Sequence, residues 1–206
     1  MLLSVSLYFL RYMHLIFFYS NLAGLNNMCG RFNYSNTKRL QGDLPPRYNI
    51  APGTNILVVN EDNKPKVLHW GYAPAWMKKG MIINAKRETL KSKATFRYHT
   101  KAYTLINGWY EWKREGNKKQ PYYFFSRKYE TLFIKTLIKD DCAVLITTQA
   151  YGSISHIHNR MPLMDSEINW ASFNKDINDI DIDFYPVSTQ VNYSKNDDKS
   201  LIEPLV

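Results

Sequence analysis

Tyr103-Thr104-Leu105-Ile106-Asn107-Gly108-Trp109-Tyr110-Glu111-Trp112 is the stretch whose reading settles the class of this chain. It is crowded with aromatic and β-branched side chains, which suit a pleated, half-buried surface. Three runs of the same character follow at 122–126, 131–138 and 142–148, separated by turn-forming or polar residues. Upstream, 55–60 and 66–70 read as strands joined into a hairpin through Glu61-Asp62-Asn63-Lys64. A further short strand is expected at 81–84. The proline-punctuated segment 45–53 is extended, because Pro and the residue before it resist helix. Closing extended pieces are expected at 185–188 and 201–206. Helix signals are short: 35–44, 85–92, and 165–173 with Asp165 as cap and Glu167 in the first turn. The sum is a mainly β domain with a few helices laid on it.

The chain has 206 residues, enough for one domain with a substantial core. Aromatics make up 15%, with 15 Tyr, 10 Phe and 5 Trp, and the net charge is +9. A basic surface rich in aromatics favours a nucleic-acid partner, single strands above all. Only two cysteines occur, Cys29 and Cys142, so a disulfide framework is not indicated. His156 and His158 form one close pair with no thiolate beside it, which argues against structural zinc. No metal and no cofactor is expected. Residues 1–27 are apolar and aromatic, but Arg11 and His14 interrupt a membrane span and no basic region precedes 2–10 as in a secretory signal. They read as an extension outside the working domain at 28–206, either an upstream mis-assigned start or a removable leader.

Several polar residues sit where core residues are expected. Asn84 ends the apolar run Met81-Ile82-Ile83, and from spacing alone it reads as a helix cap. Glu111 lies among aromatics inside a strand; facing inward, it would be desolvated and suited to proton transfer, and alternation leaves its face open. In His156-Ile157-His158-Asn159-Arg160-Met161-Pro162, an extended chain would set both histidines on one face, with an acid–base group beside a phosphate-binding arginine. Trp70 and Trp76 read first as core residues and second as stacking platforms. Met28-Cys29 stands apart. If Cys29 became N-terminal, its α-amine and thiol would have pKa values of about 8 and about 8.5, two nucleophiles on adjacent carbons.

Taken in order, MCGRF at 28–32, RYNIAP at 47–52, HWGYAPAW at 69–76, NAKRET at 84–89, GWYEWK at 108–113, HNRMP at 158–162 and YPVS at 185–188 resemble the SOS-response-associated peptidase family, also described as abasic-site processing proteins. Each piece is short; the ordered set is specific. The resemblance implies an α+β, mainly β single domain with a barrel-like sheet core, peripheral helices and a basic groove for single-stranded DNA. It implies that Cys29, freed at its amine, closes a thiazolidine ring on the aldehyde of an abasic site. Asn84 would orient the sugar or the cysteine, Glu111 would shuttle protons and assist removal of the leader, and His158 would act as acid or base. Arg31, Lys86 and Arg160 would hold phosphates, and Trp70 and Trp112 would shape the groove or stack on bases. Lys86 stands where the family has arginine, which keeps a phosphate contact and loses bidentate geometry. The expected partner is single-stranded DNA containing abasic sites, met by a cytoplasmic monomer with no membrane role and nucleoid-associated when bound. Two other readings compete: a thiol peptidase acting in trans, and a non-enzymatic single-stranded DNA-binding module.

Overall fold

The structure, a computed structural model, describes residues 30–35, 45–175 and 180–205. Its strands are β1 (Arg31–Tyr34), β2 (Arg47–Ile50), β3 (Asn55–Asn60), β4 (Pro65–Trp70), β5 (Asn84–Lys86), β6 (Thr100–Ile106) and β7 (Gly108–Glu115) in the first half. β8 (Lys118–Ser126), β9 (Leu132–Lys139), β10 (Cys142–Gln149), β11 (Arg160–Pro162), β12 (Met164–Asp165) and β13 (Ile182–Pro186) complete them. The fold is mainly β, as the aromatic and β-branched runs foretell, and the expected hairpin forms between β3 and β4 with its turn at Asn63.

The stretch 103–112 is two strands, not one. Its first half belongs to β6 in one sheet and its second half to β7 in the other, with Asn107 as the crossing residue. Asn107 secures the crossing at both ends, accepting from Ser35 N at 2.7 Å and donating to Glu130 O at 2.6 Å. The first sheet runs β13-β8-β7-β1-β2. In the second, β10 pairs with β4, β4 with β3, β3 with β6, β6 with β9, and β9 back onto β10. That ring closes a small barrel. A closed ring has no free edge within it, and beyond it β10 also carries β5 and β11 at its far end.

Successive side chains of a strand face opposite ways, and β7 is buried on both sides. Trp109 joins the large core with Phe32, Trp70, Ile106 and Phe124. Tyr110 joins a smaller cluster with Tyr123, Val187, Val191 and Leu201, where the C-terminal segment covers the sheet. Gly108 lets the two sheets meet. A Cβ there would fall inside van der Waals distance of Phe124 O and the Tyr123 ring, and the Tyr123 hydroxyl uses the space to donate to Asn33 Oδ1 at 2.9 Å.

The helix expectations need correction. Residues 85–92 start as strand β5 and continue as a single 3-10 turn, Arg87–Thr89. The 81–84 strand is only a bridge from Ile82 to Tyr72, with Asn84 opening β5 instead of capping a helix. At 165–173, Asp165 ends β12 and the only helical piece is the 3-10 turn Trp170–Ser172, capped by Asn169. Asp165 is engaged elsewhere: its carboxylate takes the buried Lys135 ammonium at 3.1 Å and the Tyr103 hydroxyl at 2.6 Å. A buried cation needs a partner more than a surface turn needs a cap. Of the expected helix at 35–44, all but Ser35 lies outside the described residues. The extended close at 201–206 is in part a 3-10 turn, Lys199–Ile202, followed by a bridge from Pro204 to Val187.

Candidate functional site

Glu111 follows Trp109 by two residues, so it faces the barrel side of β7 and is 0% exposed. His158 meets it from the other sheet. The chain leaving β10 makes a 3-10 turn, Gly152–His156, and His158 N donates to Ile154 O at 3.1 Å, which fixes the approach. His158 Nδ1 then lies 3.6 Å from Glu111 Oε2. The same nitrogen is 3.2 Å from Arg160 N and 3.1 Å from Arg160 O. Accepting from Arg160 N–H would leave the imidazole proton on Nε2; a proton on Nδ1 would face the Arg160 carbonyl and Glu111. Only the Nδ1-protonated form turns a proton toward Glu111, across a 3.6 Å gap that must shorten slightly before the two groups share it. The turn also corrects the expected histidine pair, since His156 ends it, exposed, while His158 is partly buried.

Asn84 and Lys86 reach the same region through β5, whose parallel pairing sets Asn84 opposite Leu145 and Lys86 opposite Thr147 of β10. Asn84 is partly buried with its side-chain oxygen out of contact with water, and Lys86 is exposed. Arg160 is not presented to solvent as a phosphate ligand. Its guanidinium is bidentate to Glu88, at 2.6 and 3.1 Å, and donates to Thr147 O and Oγ1 at 2.6 and 3.1 Å. The pairing holds the Glu88 carboxyl below its ordinary value of 4.5. Glu88 lies just beyond β5 and Arg160 just beyond His158, so this pair ties the Asn84 segment to the His158 segment across β10.

Trp70 does not stack on anything outside the protein: it is 0% exposed. Its ring packs 5.1 Å from Phe32, and its Nε1 donates to Ile83 O at 3.0 Å, so it fixes both β1 and the strand entry to Asn84. Trp112 and Arg31 face the opposite side of the first sheet from Glu111. Trp112 Nε1 donates to Asn192 Oδ1 at 2.6 Å. Arg31 donates to Asn49 Oδ1, Val191 O and Asn192 O at 2.8, 2.6 and 3.3 Å, and burial lowers its pKa. These contacts hold the C-terminal turn Thr189–Asn192. The structure thus links Glu111, His158 and Arg160 through direct contacts, sets Asn84 and Lys86 on the strand that leads to Glu88, and leaves Arg31 and Trp112 on another face.

The residue that sequence reasoning misplaced is Trp76. Read as core, it is 66% exposed, on a segment with exposed Lys78 and Lys79. The cue was available: Pro74 and Gly80 bracket it in a segment without strand periodicity. Cys142 lines a cleft of about 430 Å³ with His69, Tyr72, Met81 and Asp140. Burial, then Asp140 and Asp141, push its thiol up, away from thiolate chemistry. Among the described residues no three His, Cys, Asp or Glu side chains stand together as a metal ligand set would. No helix among them is long and apolar enough to cross a membrane.

The description "SOS response associated peptidase (SRAP)" matches residues 22–194. Abasic site processing protein YedK of Escherichia coli (strain K12) is 30% identical over 222 aligned residues, covering 86% of this chain and 100% of that protein. Abasic site processing protein YoqW of Bacillus subtilis (strain 168) is 30% identical, covering 79% of this chain and 88% of its own. Among solved structures, a protein from Bacteroides thetaiotaomicron superposes with a TM-score of 0.62 at 17% identity, over 81% of this chain and 88% of that one, a likeness of fold. On the match to 22–194 and on these relatives, the chain belongs to the SOS response associated peptidase family.

Proposed function

We propose that this protein processes abasic sites in single-stranded DNA by forming a covalent thiazolidine through Cys29. The observation that carries the reading is the pairing of buried Glu111 with partly buried His158 at the junction of the two sheets. β1 sets Arg31 opposite Tyr110 in antiparallel register. A step back along the chain, to the buried Gly30 that follows Cys29, therefore runs alongside Glu111. The names of the relatives supply the substrate class.

The chemistry balances without any oxidant. The Cys29 amine attacks the aldehyde carbon of the ring-opened deoxyribose, the carbonyl oxygen leaves as water, and an imine results. The thiol adds to the imine carbon while its proton passes to the nitrogen, closing a five-membered ring that proximity favours. Glu111 moves the protons of imine formation, His158 serves as acid or base on the sugar, and Asn84 orients one of the reacting partners. The Glu88–Arg160 pair holds the two segments in place. The strand of DNA lies against exposed cations, Lys78, Lys79 and Lys86, with Trp76 as a stacking platform. An amide nitrogen cannot form an imine, so everything before Cys29 must be gone, by translation from Met28 and loss of Met28 or by self-cleavage assisted by Glu111. On this reading 28–206 is the working domain.

The test is to incubate protein verified to begin at Cys29 with single-stranded DNA carrying an abasic site. A heat-stable adduct absent from Cys29→Ala is expected. No adduct overturns the proposal. Salt-dependent binding indifferent to Cys29→Ala would instead indicate a binding module, and turnover of an unrelated peptide would indicate a peptidase in trans.

A further inference from the structure

Beyond Trp112, the β7–β8 hairpin projects a basic surface that neither the core nor the Glu111–His158 pair uses. Register sets Trp112 opposite Pro121, Lys113 opposite Gln120, Arg114 opposite Lys119 and Glu115 opposite Lys118. Opposed residues of an antiparallel pair share a face, and faces alternate along the strand. Trp112, Arg114 and Lys119 therefore line one face, and Lys113, Glu115 and Lys118 the other. The one acid beyond Trp112 is committed to that other face, where Glu115 pairs with Lys113 at 3.3 Å. Arg114 and Lys119 are exposed, and among the described residues no carboxylate pairs with either. Like charges directly opposite one another cost stability, and an anion laid between them would remove that cost.

We propose that this face of the β7–β8 hairpin is a phosphate-binding arm for single-stranded DNA flanking the abasic nucleotide. Arg114 and Lys119 contact backbone phosphates and the half-buried Trp112 offers an edge on which a neighbouring base rests. The combination of cations with an aromatic on one face fits a single strand, whose bases are free to stack, better than a duplex. Strand rise of about 3.3 Å per residue puts Arg114 about 10 Å from Glu111 along β7, and alternation puts it on the opposite face of the sheet, clear of the reacting atoms. This inference extends the DNA-binding reading above and is independent of its covalent step.

The experiment measures binding of undamaged single-stranded oligonucleotide to the full chain against salt, by fluorescence anisotropy. Each phosphate contact contributes about 0.7 to the slope of log affinity against log salt for single strands. Arg114→Gln/Lys119→Gln should flatten the slope by about 1.4, so that wild type loses about sevenfold more affinity than the variant between 50 and 200 mM salt. Lys64→Gln/Lys66→Gln removes the same charge from the exposed β3–β4 hairpin and should leave the slope near wild type. Equal slopes for the two double variants overturn the proposal, as does an effect that emerges only when the flank is duplex. Because undamaged DNA is used, the result stands whether or not Cys29 forms an adduct, and thermal unfolding of both variants reports that the hairpin is intact.

Discussion

At the scale of single residues, the proposed function divides the side chains around β10 into those assigned to the chemistry and those that hold them in place. Glu111→Gln keeps the volume and removes the proton acceptor, so adduct formation should slow by roughly 10²-fold or more, with the unfolding midpoint little changed. Single-turnover gel assays of the chain beginning at Cys29 measure it; a wild-type rate would remove Glu111 from the mechanism. Glu88 acts through Arg160. Glu88→Ala leaves a largely buried guanidinium with only Thr147 as partner, and the loss should be about 1–2 kcal/mol, toward the low end because the Glu88 side chain is 48% exposed. The sign with pH follows from the carboxyl's lowered pKa. Its contribution is complete above the unfolded value of 4.5 and fades as pH falls through the folded one. Urea midpoints of wild type and Glu88→Gln should therefore differ at pH 6 and converge as pH falls through the folded value; a gap that does not narrow in acid would show that the pair is not the cause.

At the scale of elements, the strands were legible and their partners were not. Runs of Val, Ile, Tyr, Phe and Trp announced β6 through β10 because pleated, buried surfaces need such side chains. That composition is blind to which sheet a strand enters. The Asn107-Gly108 break inside the opening stretch is a turn dipeptide between two apolar runs, and it marks the crossing between sheets that continuous strand character concealed. The missed helices share one cause: 85–92 and 165–173 have helix-compatible residues, but Asn84 and Asp165 are needed by β10 and by Lys135. Gly108 tests the crossing. In Gly108→Ala the new methyl meets the backbone carbonyl of Phe124, which a ladder partner of β7 cannot move aside, and the Tyr123 ring. Overpacking costs about 1–3 kcal/mol, and a clash against backbone puts this one at the upper end. Chemical denaturation should show that loss, and a midpoint within error of wild type would mean the two sheets have slack at this point.

At the scale of the whole molecule, the candidate site was legible as residue types and illegible as geometry. Glu111 and Trp112 are neighbours in sequence and face opposite sides of a strand, so one belongs with His158 and the other with the C-terminal turn. Trp70 and Trp76 sit in one motif, one sealed beneath the site and the other in solvent. What sequence did convey without geometry is charge. A net +9 draws a polyanion whatever the fold, and this separates capture from chemistry. At protein concentrations below saturation, the rate of adduct formation should fall steeply with salt, following the displacement of cations from the strand. At saturating protein the rate reports proton transfer at a buried carboxyl and a partly buried imidazole, which mobile ions screen far less than exposed charges, and should be nearly flat between 50 and 200 mM salt. Time courses at both concentrations with the chain beginning at Cys29 distinguish the two regimes. A saturated rate that falls as steeply as the unsaturated one would mean that exposed cations, and not the pair at the sheet junction, set the speed of the covalent step.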